Sequence, residues 1–182
     1  MKSVVYFDCV PSPLGEMVLA SDGDALSGVW FDGQRHQPAV GAGWQRRRDL
    51  VVLRRAAAEL TAYFAGERIE FDLPLAPVGT PFQRAVWHAI AGVPYGGTIA
   101  YRELAVRAGR PRSIRATGAA TGRNPLSIVV PCHRIVAADG ALTGYAGGLA
   151  RKRALLALEH AVLVTAPVPR VSRAGLSAHA IG

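Results

Sequence analysis

The run Ser127-Ile128-Val129-Val130-Pro131-Cys132-His133-Arg134-Ile135-Val136 sets one thiol and one imidazole side by side among apolar, largely β-branched neighbours, with Asn124-Pro125 just upstream. It reads as a buried strand with Cys132 at its end. A free thiol is mostly protonated at neutral pH and the thiolate is the nucleophile, so a working cysteine needs a base or cation beside it. His133 is the nearest base in sequence. Adjacent residues on a regular strand point to opposite faces, so the two cooperate only at a strand end, at a bend or through a water. A histidine base also needs an acid to orient it, and after Cys132 the chain offers only Asp139 and Glu159. Glu159 is the better candidate, because a carboxylate in the leucine-rich last helix is costly unless paired. Cys132 alone would read as an inert buried cysteine; its neighbours change that reading.

At 182 residues the chain can bury one good core, or two small ones sharing an interface. With 50% hydrophobic residues, three Trp and five Phe, it is a globular rather than a disordered sequence. The N-terminus meets Asp8 and Pro11 before any long apolar run, and no stretch reaches transmembrane length, so a cytoplasmic protein without a membrane partner is expected. The two cysteines, Cys9 and Cys132, make neither a disulfide framework nor a four-cysteine zinc site, so no metal and no cofactor is expected. The net charge of +8 is one-sided: residues 1–78 hold 8 basic and 10 acidic groups, residues 79–163 hold 11 and 3. Such asymmetry is the footprint of a polyanion partner, although a solvated basic surface would explain it equally well.

Pro and Gly crowd at Leu73-Pro74-Leu75-Ala76-Pro77-Val78-Gly79, where the charge also changes sign. This divides the chain into domains 1–78 and 79–163, with 164–182 reading as a disordered tail. The first part offers strands Val4–Cys9, Met17–Ser21 and Leu26–Phe31, a helix over 50–64 and a further strand at Phe71–Leu75. Arg46-Arg47-Arg48 reads as a solvated loop. The second part is mainly helical. Thr80 is a good N-cap and Pro81 suits the first helical position, ahead of an apolar face of Phe82, Val86, Ala89 and Ile90. Helices over 101–108 and 112–121, joined by Gly109-Arg110-Pro111, make a helix-turn-helix candidate. The second of them carries Ser113, Ala116, Thr117, Gly118, Ala119 and Ala120, with Arg112, Arg115 and Arg123 around them. Small side chains let a backbone approach a surface closely, and the arginines supply counter-charge, which favours a DNA-docking helix. Thr143-Gly144-Tyr145-Ala146-Gly147-Gly148 reads as a flexible loop, followed by a last helix over 149–160.

Taken in order, Thr80-Pro81-Phe82-Gln83, Tyr95-Gly96-Gly97-Thr98, Tyr101, Arg115, Asn124-Pro125, Pro131-Cys132-His133-Arg134, Gly144-Tyr145-Ala146-Gly147-Gly148 and Glu159 resemble the O6-alkylguanine-DNA alkyltransferase family, the methylated-DNA–protein-cysteine methyltransferases. The likeness runs from about Gly79 to Leu158, and weakly through the first part. It implies an α+β protein: a small ribonuclease H-like N-terminal domain and a mainly helical, winged-helix-like C-terminal domain bearing the helix-turn-helix and the active cysteine. It implies a monomer acting on double-stranded DNA with alkylated bases, docked in the minor groove, with the damaged nucleotide flipped out. Cys132 would take the alkyl group from O6-alkylguanine, and also from O4-alkylthymine, in a single turnover that ends in S-alkylcysteine.

The same likeness assigns the base to His133 and its orienting acid to Glu159. Tyr101 resembles the tyrosine that rotates the nucleotide and hydrogen-bonds the leaving purine. Arg115 resembles the finger that fills the gap left by the flipped base, and Asn124 the hinge after the recognition helix. Ser113, Ala116, Thr117, Ala119, Arg112 and Arg123 join Arg115 as the DNA-facing set, and Tyr145, Ala146, Val130 and Pro131 as the pocket lining. Position 146 is Ala where some members carry Ser, which leaves adduct-size preference open. The competing readings are a damage-binding relative, argued against by the presence of Cys132; a regulator reading the major groove, for which the small-residue helix lacks base-reading side chains; and a thiol hydrolase, whose Cys and His are not usually adjacent.

Overall fold

The computed structural model describes residues 4–165. The turns Pro11–Gly15 and Asp22–Ala25 let the first three apolar runs fold back on one another. β1 (Val5–Val10), β2 (Met17–Ser21) and β3 (Leu26–Phe31) are antiparallel neighbours. β4 (Trp44–Arg46) joins parallel to β1, giving the order β3-β2-β1-β4. This strand falls in the expected basic loop. Asp8 on β1 accounts for it: its Oδ1 accepts from Arg46 Nε at 2.9 Å and lies 3.5 Å from Arg48 Nε, while Arg47 pairs with Asp49 at 2.8 Å. Two of the three positive charges in the basic run are therefore balanced locally.

Helix α1 (Val51–Phe64) packs on this sheet, burying Val52, Leu53, Ala56, Glu59, Leu60 and Tyr63. In the sequence Leu50, Leu53, Ala57, Leu60 and Phe64 recur at helical spacing; the buried face is turned from that stripe, and two polar groups go inward. Glu59 meets Arg68 at 3.2 Å and accepts from Asp72 N at 2.9 Å, and Tyr63 reaches across the molecule to Glu159. Phe71–Leu75 is not a strand. It makes one isolated bridge, Leu75 to Leu26, since Pro74 brings no N–H for a ladder.

The second part is helical. α2 (Pro81–Ala91) opens with a capping box between Thr80 and Gln83, and Trp87 Nε1 donates to Ala120 O at 2.9 Å. β5 (Ile99–Ala100) pairs parallel with β6 (Ile135–Val136), a two-residue pairing too short to read from periodicity. α3 (Tyr101–Arg107) and α4 (Ile114–Gly122) form the helix-turn-helix. α5 (Leu149–Thr165) runs five residues past the expected end at 160. Residues 164 and 165 thus belong to a helix and not to the tail; residues 166–182, the remainder of the expected tail, lie outside the described part. One continuous apolar core joins the two parts, from Leu19 and Phe31 through Trp87 to Leu126, Ile128 and Cys132.

The chain does not enter Cys132 along a strand. Ile128 has φ 73°, Pro131 follows, and Cys132–Arg134 form a single 3₁₀ turn. Successive side chains on such a turn are about 120° apart rather than opposed. The bend removes the geometric objection to adjacent Cys and His acting together.

Candidate active site

Cys132 is 5% exposed. Asn124, just past α4, organises it. The Asn124 amide Nδ2 donates to Val130 O at 2.8 Å and to Cys132 Sγ at 3.1 Å, while its Oδ1 accepts from Leu126 N at 3.0 Å. All three bonds serve the bend that leads to the thiol. Burial pushes the thiol pKa up, opposed by the Asn124 hydrogen bond and the positive charge of Lys152. Lys152, on α5, is fully buried and donates to the carbonyls of Ile135 (2.5 Å), Thr143 (2.8 Å) and Gly144 (3.4 Å). Burial brings its pKa down to about 8.

Behind the thiol lies a buried ionic cluster. His133 Nε2 is 2.7 Å from Glu159 Oε1. The carboxylate also accepts from Tyr63 Oη at 2.8 Å, Gly96 N at 2.9 Å, and Arg134 Nε and Nη2 at 2.9–3.2 Å. Burial alone would raise this carboxyl; the bonds and charges of His133 and Arg134 outweigh it and hold the pKa at about 2. An ionised carboxylate only accepts, so the proton of His133 sits on Nε2 and Nδ1 is left as an acceptor. Nδ1 is buried and has no hydrogen-bond partner among the described residues. Burial, with the Arg134 and Lys152 charges, keeps His133 below the ordinary histidine value against the pull of Glu159. No hydrogen bond joins Cys132 to His133 among the described residues. Asp139, the other carboxylate considered, caps a turn by accepting from Ala141 N.

Cys132 opens into a cavity of about 480 Å³. Gly118, Ala119, Thr121 and Gly122 of α4 form one wall, Gly144, Tyr145 and Ala146 another, with Tyr101, Arg35, His36 and Arg123 around them. Tyr101 Oη makes long hydrogen bonds to Thr143 O (3.4 Å) and Gly144 O (3.5 Å). Tyr145 Oη is buried with no hydrogen-bond partner among the described residues. A side chain at Gly147 would run into the Tyr145 and Phe31 rings, 2.8 and 3.1 Å from where its Cβ would stand. The loop expected to be flexible is held by Lys152, by Arg35 N donating to Ala146 O at 3.0 Å, and by Arg151 Nη1 donating to Gly147 O at 3.2 Å.

Arg112, Arg115, Ala116, Ala119 and Arg123 lie on the exposed side of the helix-turn-helix, and Ser113 is partly exposed. Thr117 departs from the expectation: it is fully buried, with its hydroxyl unpartnered among the described residues. The inward face of α4 carries Thr117, Ala120 and Thr121, so Thr117 packs in the core and cannot touch DNA from this position. Two expected pocket residues are also displaced. Pro131 lines a separate apolar hollow with Tyr95 and Arg134, and Val130 is buried, offering its carbonyl to Asn124. Sequence reasoning missed Arg134, Tyr63 and Lys152. A lysine among the leucines of the last helix is a signal of the kind that singled out Glu159, and Lys152 could have been found by it.

Comparison with known proteins defines the class: DNA-binding methyltransferases whose acceptor is a cysteine of the protein. The ribonuclease-like domain of 6-O-methylguanine DNA methyltransferase matches residues 5–77, and its DNA-binding domain matches residues 81–161. A methylated-DNA–protein-cysteine methyltransferase of Methanosarcina barkeri is 44% identical, over 85% of this chain and 97% of its own. One from Haemophilus influenzae is 40% identical, over 86% and 87%. The crystal structure of Mycobacterium tuberculosis O6-methylguanine methyltransferase superposes with TM-score 0.81 at 42% identity, over 91% of this chain and 96% of that one. The Mycobacterium tuberculosis OGT complex with DNA gives 0.81 at 43%, over 86% and 94%. The chain belongs to the 6-O-methylguanine DNA methyltransferase family; its reaction is DNA repair by alkyl transfer from O6-methylguanine to cysteine.

Proposed function

We propose that Cys132 is the acceptor, that the α3–α4 unit docks in the minor groove of alkylated double-stranded DNA, and that the damaged nucleotide is flipped into the cavity above the thiol. One observation carries this reading: the thiol faces a cavity walled by the DNA-docking helix, with a buried His–Glu pair immediately behind it. His133 Nδ1 takes the thiol proton through a water while Glu159 holds Nε2–H and stabilises the imidazolium. The sulfur attacks the O6-alkyl carbon, the C–O bond breaks as the S–C bond forms, and the purine leaves as the guanine anion, which takes up one proton, equal to the one the thiol lost to His133, to become guanine. Tyr101 then gives up its long bonds to the Thr143 and Gly144 carbonyls to assist the leaving base. Arg115, exposed at the start of α4, fills the space vacated in the stack, while Arg112, Arg123, Ser113, Ala116 and Ala119 meet the backbone. Ala146 offers only its N–H to the O6 position. O4-alkylthymine presents the same O-alkyl carbon and is a second substrate. The protein acts as a monomer in the cytoplasm and is consumed, because a thioether has no good leaving group.

The test is intact mass after mixing with a duplex holding one O6-methylguanine. Wild-type protein gains one methyl, capped at one equivalent and mapped to Cys132, and Cys132→Ser gains none. Lesion-selective binding without a mass change would replace this reading with damage sensing.

A further inference from the structure

β3 is the outer strand of the N-terminal sheet, and its open side is covered by the rest of the chain. At its start Leu26 N donates to Pro74 O at 2.7 Å, and Ala76 N donates back to Leu26 O at 2.9 Å. Further along, Val29 N donates to Pro125 O at 2.8 Å and Ser127 N to Val29 O at 2.9 Å. The segment leading to Cys132 thus rides on the N-terminal sheet. The turn after β3 is built round Gln34, only 6% exposed. Gln34 Oε1 accepts from Phe31 N at 3.0 Å and from Ser127 Oγ at 3.1 Å. The next residue, Arg35, donates its backbone N–H to Ala146 O at 3.0 Å. One turn therefore holds both the segment that ends at the nucleophile and the loop that walls the cavity on the other side. Between Ser127 and Cys132 stands Ile128, a buried β-branched residue at φ 73°. Such a conformation is strained for a β-branched residue and persists only where the surroundings over-determine it.

We propose that Gln34 is a positioning residue for alkyl transfer, setting the separation between the Cys132 segment and the Ala146 loop through its bond to Ser127. The proposal rests on Cys132 being the acceptor, which the mass measurement on wild-type protein decides separately. The test uses full-length protein, single-turnover kinetics across a range of methylated duplex concentrations, and three variants: Gln34→Leu, Gln34→Glu (which keeps an acceptor oxygen) and Ser127→Ala. Gln34→Leu lowers the saturating rate at least tenfold, with the half-saturating DNA concentration within twofold of wild type. Gln34→Glu recovers most of the loss. Ser127→Ala reproduces the loss, and adding it to Gln34→Leu costs nothing more. O6-methylguanine suffers more than an O6-benzyl adduct, because a widened cavity hurts the smaller group most. A wild-type saturating rate in folded Gln34→Leu overturns the proposal; so does a loss not relieved by Gln34→Glu. If Gln34→Leu does not fold, a wild-type saturating rate in Ser127→Ala does the same.

Discussion

Glu159→Gln isolates the charge at the centre of the buried cluster. The carboxylate meets only donors: Tyr63 Oη, Gly96 N, His133 Nε2 and the Arg134 guanidinium. An amide of the same shape must turn its NH₂ toward one of these, so at least two donors face each other, and Arg134 loses its counter-charge in the interior. Breaking a buried pair by removing one partner costs roughly 3–5 kcal/mol. For a domain of this size each kcal/mol lowers Tm by about 2–4 °C, so the melt falls by roughly 10 °C. Transfer suffers separately. With Nε2 no longer held by an anion, His133 is free to adopt the wrong tautomer, and loss of general-base help lowers the rate by about 10²–10⁴. Thermal melting and single-turnover transfer, measured on the same preparation below the new Tm, separate the two effects. A variant that melts within 2 °C of wild type, or transfers within threefold of it, would refute the reasoning.

Further predictions concern pH, packing and DNA. Because the folded Glu159 carboxyl lies at about 2, below its ordinary 4.5, its contribution to stability is complete above about pH 4.5. That contribution, about 3 kcal/mol, is lost as pH falls toward 2; wild-type urea midpoints should drop through that window and those of Glu159→Gln should drop less. Burial holds His133 below the ordinary histidine value, so the base is not lost to protonation above neutrality and the transfer rate at pH 7 should be within twofold of that at pH 8. An unassisted thiol titrating above 9 would instead lose tenfold over that interval. Thr80→Ala breaks the capping box of α2, lowering stability by about 1 kcal/mol, with the transfer rate unchanged; a rate loss in the folded variant would mean that α2 does more than hold the core. On duplex DNA, replacing Arg112 or Arg123 by Ala should reduce the slope of log affinity against log salt by about 0.9 for each phosphate that is no longer neutralised, and an unaltered slope in both would place the DNA elsewhere.

Much of this could be read in the chain because the signals were local. The Thr80–Pro81 helix start, the Gly109 break between α3 and α4, and a carboxylate in a leucine-rich helix each carry their reason within a few residues. What was illegible depends on distant partners. β4 is three residues long and owes its place to Asp8, 38 positions away. The Tyr63–Glu159 bond spans 96 positions and takes a polar group of α1 inward. Thr117 misled because nearly every side chain on α4 is small, so composition could not tell its inward from its outward face. The left-handed Ile128 breaks the rule for its residue type, and no pattern announces an exception forced by tertiary contacts.

The covering of β3 has a consequence for biosynthesis. An unpaired strand edge is a template for pairing with other chains. As the chain emerges, residues 74–76 seal the start of β3 soon after the sheet is made, but the stretch that pairs with Val29 arrives about fifty residues later. At translation speeds of about 5–20 residues per second, the nascent protein carries half an open edge for roughly three to ten seconds. Because the segment that closes it leads directly into Cys132, sealing that edge and placing the thiol draw on the same stretch of chain.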